Sequence, residues 1–174
     1  MNHSHATPQT PHQATRAGFH ASPELPYQPD FFNSHEWRQL QVLCDRLLPL
    51  NPLASLPASQ IMEFIDRHMH TPYAHASVPV LPRATLPIRD LLRSGMRALD
   101  EHCQHYLDTR FAELSPGRQS NLLQSLACGL LVLEGVSGQA WYHQLLGEIH
   151  LACLCLAHER TGLASTAGPA VLLG

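Results

Sequence analysis

Lysine is missing from all 174 residues; the eleven basic side chains are every one arginine. Charged residues make up 14% of the chain, well below the usual quarter. A thin coat of charge suits a surface covered by another chain, and arginine tolerates partial burial and forked pairing better than lysine. Codon usage that avoids lysine explains the arginine bias more simply. With a formal net charge of −3 and no basic stripe, nucleic acid is excluded as a partner. No apolar run approaches the ~20 residues that span a bilayer, so no direct membrane insertion is expected.

The motifs of self-contained chemistry are also missing. No GxGxxG follows a strand, no GxSxG elbow carries a nucleophile, and no CxxCH offers haem attachment. No cofactor site is expected in this chain. No catalytic residue and no metal ligand is assigned, and catalysis by the chain alone is not expected. The five cysteines (Cys44, Cys103, Cys128, Cys153, Cys155) are odd in number. Cys153 and Cys155 diverge by about 200° on a helix, so the cysteines read as small packed hydrophobes, with one disulfide left open. Residues 1–30 are rich in His, Pro, Thr and Gln, with one arginine and no apolar core of a signal peptide. They are expected to form a disordered leader, and action alone would place the chain in the cytoplasm.

What is present is helical periodicity. Residues 31–162 are expected to form one all-α domain, a bundle of about five helices with a long Pro-rich loop, followed by a Gly/Pro-containing tail over 163–174. Ser34 is expected to cap a first helix whose stripe is Trp37, Leu40, Leu43, Cys44, Leu47 and Leu48, ended by Pro49 and Pro52. A second follows Pro57, with Ile61, Met62, Phe64, Ile65 and Met69 inside and Glu63 and Asp66 outside. Pro72, Pro79, Pro82 and Pro87 make residues 71–87 an ordered loop rather than a helix or central strand. A third helix, about 87–108, turns Leu91, Leu92, Met96, Leu99, Cys103 and Tyr106 inward. Ser115 and Pro116 start a fourth, striped by Leu122, Leu123, Leu126, Leu130 and Leu133. After Gly135 and Gly138, a fifth covers about 139–158. It is apolar nearly all round and should be central or covered by a partner.

Thirteen histidines invite a second reading, an independent binding module with His-dependent metal or pH sensing. His102 and His105 share a helix face, yet a metal site needs two more ligands from another element. His68 and His70 point to different sides. Asp45-Arg46 and Asp66-Arg67 read either as surface pairs worth ~0.5 kcal/mol or as a buried network between helices. Trp141, Tyr142 and Tyr73, of the type that anchors interfaces, are candidate partner contacts, and Asp66 stands with them.

Five short signatures run in fixed order: D-x-x-L-P (Asp45, Leu48, Pro49), F-I-D (Phe64, Ile65, Asp66), Pro-Tyr (Pro72, Tyr73), G-x-x-A-L-D (Gly95, Ala98, Leu99, Asp100) and F-x-x-L-S-P (Phe111, Leu114, Ser115, Pro116). Together they resemble the gluconate 2-dehydrogenase subunit 3 family, the small subunit, over about Glu36 to Leu146. The resemblance implies a non-catalytic accessory subunit of an oxidoreductase complex that oxidises sugars or polyols. Its expected partners are a flavoprotein dehydrogenase large subunit and a cytochrome c subunit, with FAD and haem c held by those partners. Support of assembly, stability or export is the implied role, in the periplasm with a signal-bearing partner. Two departures stand out: no twin-arginine signal, and a C-terminal HERTGLASTAGPAVLLG without the family's usual aromatics.

Overall fold

The structure, a computed structural model, describes residues 27–50, 56–81 and 84–166. The expected leader up to residue 26, the helix stop at Pro52, Pro82 and the tail from residue 167 lie outside the described residues. Five α-helices pack around one core: α1 Ser34–Leu47, α2 Ala58–His68, α3 Ile88–Leu107, α4 Pro116–Ala127 and α5 Gly138–Thr166. The all-α bundle is as expected. Among the described residues no helix is long and apolar enough to cross a membrane.

Helix α1 starts one residue earlier than Ser34 suggests. Asn33 is the cap: its side chain accepts from the His35 and Glu36 amides, and the Glu36 carboxylate returns to the Asn33 amide. This reciprocal box satisfies donors that a helix start otherwise leaves without partners. The stripe of α1 is buried as expected, with Trp37 half-buried. Before the helix, Phe31 and Phe32 enter the core, so the fold includes residues expected to lie at its margin.

The Pro-rich segment is more regular than expected. Residues Pro72–His75 form a 3₁₀ turn, and β1 Ser77–Leu81 pairs antiparallel with β2 Ala84–Pro87. Ser77 faces Pro87 and Val78 faces Leu86, with the register broken by a bulge between Pro79 and Leu81. Proline vetoes a central strand, but in a two-stranded ribbon every strand is an edge, and a bulge absorbs the missing donor.

Helix α3 buries Leu91, Leu92, Met96, Leu99 and Cys103, but Tyr106 is 68% exposed rather than inward. The helix ends at Asp108, which takes the left-handed conformation. Helix α4 is shorter than its leucine pattern. It stops at Ala127, and Gly129, at φ 69°, turns the chain. Leu123 and Leu126 are core, while Leu130 lies beyond the helix and in water, and Leu133 reaches the core from the connection. The Ser115 side chain makes no cap bond, so Pro116 at the first position carries the start signal.

Helix α5, 29 residues, runs past the expected stop at His158 to Thr166. It packs on α2, α3, α4 and β1, while His143, His150 and His158 lie on an exposed strip, so it is central without being covered all round. Trp141 is fully buried and lies directly against Gly95 of α3, where a β-carbon would collide with the indole. The indole Nε1–H donates to the Leu92 carbonyl at 3.2 Å. Gly95 is what lets these two helices approach.

Candidate functional site

The carboxylates of the sequence signatures are inside the molecule. Asp66, expected on the outer face of α2, is 0% exposed. Its Oδ1 accepts from the Phe31 and Phe32 amides at 3.1 and 3.0 Å; its Oδ2 accepts from the Asp30 amide and the Tyr27 hydroxyl, both at 2.9 Å. Four donors satisfy the group completely, as burial of a charge demands. Tyr27 stacks near Trp37, with the Arg67 guanidinium 5.2 Å from its ring centroid. Burial and the Asp66 carboxylate raise the Tyr27 phenol above its usual range. Residues 27–30, expected within the leader, are thereby tied to the bundle.

Asp100 plays the same part on α3. Its Oδ1 accepts from the Phe111 amide at 3.0 Å, and its Oδ2 lies 2.5 Å from His35 Nε2. Arg110 approaches His35 Nδ1 at 3.3 Å. A guanidinium can only donate, so Nδ1 accepts and the His35 Nε2–H donates to Asp100. Buried Gln119 finishes this corner by donating to the Phe111 and Leu114 carbonyls. The fourth and fifth signatures thus hold each other: the aspartate of G-x-x-A-L-D seats the first residue of F-x-x-L-S-P.

Of the two readings of Asp45-Arg46 and Asp66-Arg67, the buried network joining the two pairs does not form. Asp45 is exposed, and Arg67 pairs with Glu63 at 3.3 Å. A network does surround Asp66, but it reaches the segment before α1, not α1 itself. Arg46 Nε is buried without a hydrogen-bond partner, beside a recess of about 300 Å³ that Tyr142 also lines.

Of the four residues expected to meet a partner, Asp66, Trp141 and Tyr142 are buried within the chain, where they pack or clamp the fold and present no surface. Tyr73 is half exposed and stacks on His68, centroids 5.0 Å apart. Beneath it His68 Nδ1 meets buried Glu148 Oε2 at 3.0 Å, and Gln144 donates to the other carboxylate oxygen at 2.8 Å. Beside this pair, a groove of about 570 Å³ opens between α2 and α5, crossed by an Arg160–Gln60 hydrogen bond of 2.9 Å.

Sequence reading missed the partners of these histidines because they lie 65 and 80 residues away, on other helices. His102 and His105 do flank Tyr106, but among the described residues no three His, Cys, Asp or Glu side chains converge as a metal site would need. No disulfide joins Cys44, Cys103, Cys128 or Cys155. Burial pushes the Cys44 and Cys103 thiols up to about 12, so neither is a nucleophile at neutral pH. Around Asp66 and Asp100 the arrangement positions backbone and packs helices.

Against known proteins, a sequence model of the family described as Gluconate 2-dehydrogenase subunit 3 matches residues 34–158, more than half of the chain. No curated protein and no solved structure matches.

Proposed function

The chain belongs to the gluconate 2-dehydrogenase subunit 3 family, and on that premise we propose that it is an accessory subunit that holds and stabilises a flavin-dependent sugar or polyol dehydrogenase. The observation that carries this reading is the family match across residues 34–158, which spans all five helices. The buried carboxylates support it. Asp66 and Asp100 accept hydrogen bonds from the chain's own backbone amides, which suits a scaffold.

In this reading FAD sits in the large subunit and haem c in a cytochrome subunit. The small subunit contributes surface and order, and the periplasm is where the complex works. Redox chemistry belongs to the partners; the chain's own residues act by packing and contact.

Purification of the tagged full-length chain from its native host tests the proposal. A co-eluting large protein with an oxidised-flavin absorption spectrum and dye-linked sugar dehydrogenase activity is the expected outcome. A colourless chain that elutes alone, at every salt concentration tried, would overturn it.

A further inference from the structure

Nearly all large apolar side chains of this chain are inside, which makes the exceptions informative. Among the described residues, Tyr106 (68% exposed), Leu107, Leu130 (79%) and Val132 (81%) are four of the six exposed large hydrophobics. They fall at two places: the last turn of α3 and the connection between α4 and α5. These places meet across a groove of about 620 Å³, with Ala98, His102 and Tyr106 on one wall and Val132 and Glu134 on the other. Val132 also borders a second recess of about 330 Å³ formed by the connection itself. It stands between two hollows with its side chain in water.

The connection is anchored, so this exposure is built into the fold. The Leu130 and Leu131 amides both donate to the Ser125 carbonyl, at 2.8 and 3.2 Å. Leu133 and Val136 pair with each other and are buried, and Gly135 turns between them at φ 72°. Gly138 closes the loop with so little room that a β-carbon there would lie 2.6 Å from Leu126 Cδ2. Leu133 faces in while Leu130 and Val132 face out. Tyr106 and Val132, large apolar side chains held in water on facing walls of one groove, mark an interaction site.

The groove's charge narrows the occupant. Glu101 and Glu134 line it. The nearest counter-charge is Arg97, 3.7 Å from Glu101 in an exposed pair that binds weakly. Burial and the neighbouring His105 lower the His102 pKa, which disfavours a positive charge on that imidazole. Two carboxylates at the groove favour a partner that brings a basic residue to it.

We propose that this face, the last two turns of α3 with the α4–α5 connection, is where the catalytic subunit docks, inserting an apolar side chain flanked by an arginine or lysine. The proposal rests on the accessory-subunit reading above. It adds a location and a chemistry that the family membership does not supply.

The test uses the full-length chain co-purified with the flavin-bearing subunit, comparing wild type with Val132→Asp and Glu134→Arg, both at the groove. Leu154→Asp, an exposed apolar site on α5 that does not line the groove, is the control. Each groove variant is expected to weaken retention of the flavin-bearing subunit by about tenfold or more, with the control unchanged and every thermal melt like wild type. Groove variants that bind like wild type would overturn the docking face while leaving the accessory role standing. A wild-type chain that retains no flavin-bearing subunit would overturn both. A wild-type dimer that Val132→Asp converts to a monomer in light scattering would make this a self-interface and overturn the partner proposed.

Discussion

Two regions of this molecule invert the usual sorting of side chains, in opposite directions. Around Asp66 and Asp100, carboxylates are buried; around the α4–α5 connection, leucine and valine stand in water. The buried groups lack nothing. Asp66 has four donors, and Asp100 has the Phe111 amide and His35. The exposed groups have no neighbours to cover them, although the loop beneath is pinned at Leu133, Val136 and Gly138. A polar group that is inside and fully satisfied is architecture. An apolar group that is outside and rigidly presented is available for contact. The contrast runs against residue type: Asp66 is inside with Trp141, while Leu130 and Val132 stand in water.

Substitutions test the contrast. Asp66→Ala should have the largest effect, since it strands the Asp30, Phe31 and Phe32 amides together; a loss of ~3–5 kcal/mol is expected. Thermal denaturation followed by circular dichroism should show a midpoint lower by roughly 10 °C or more. A melt within a degree or two of wild type would remove Asp66 from the architecture. Gly95→Ala comes next, at about 1–3 kcal/mol, because the added methyl meets the Trp141 indole. Tryptophan emission should shift along with the melt, and unchanged emission would mean that α3 and α5 do not touch there.

Alkaline pH gives a smaller effect. Folding raises the Cys44 and Cys103 thiols from 9 to about 12, through burial first and nearby Asp45 and Asp100 respectively. A raised folded value stabilises fully below pH 9 and progressively less as pH climbs from 9 toward 12. The phenols of Tyr27 and Tyr142, raised from 10 mainly by burial, act in the same direction. The urea midpoint should therefore stay level up to pH 9 and fall above it; a level curve to pH 12 would show those thiols to be solvated. Val132→Asp should be smallest of all in stability, within about 0.5 kcal/mol, because its side chain is already in water. A large destabilisation there would erase the distinction between the two regions.

Legibility from sequence followed the range of the interaction. The apolar stripes of α1 and α2 were largely readable because helical spacing and burial are local regularities, although Asp66 on α2 was expected outside. The stripe of α4 misled beyond Ala127: leucines continue at helical spacing through Leu130 and Leu133, and Gly129 at a positive φ interrupts them. Tyr106 misled in the same way, since periodicity assigns a face but does not say where the neighbouring helix ends. The ribbon at 77–87 was hidden by its prolines. The Asp66 clamp was invisible because its donors lie 34 to 39 residues earlier and are mostly backbone amides, which carry no sequence signal.

The order of short signatures, the all-helical periodicity and the missing cofactor motifs were enough to determine the family, the bundle and a search for chemistry in a partner. Those properties are written in local patterns and composition, which a chain carries whether folded or not. Only the tertiary structure decided which aspartates are inside, which aromatic is buried against a glycine and which leucines are left in water. Each of those depends on what the far end of the chain places opposite, and the free energy of burying a charge or exposing a hydrophobe is set by those neighbours rather than by the residue itself.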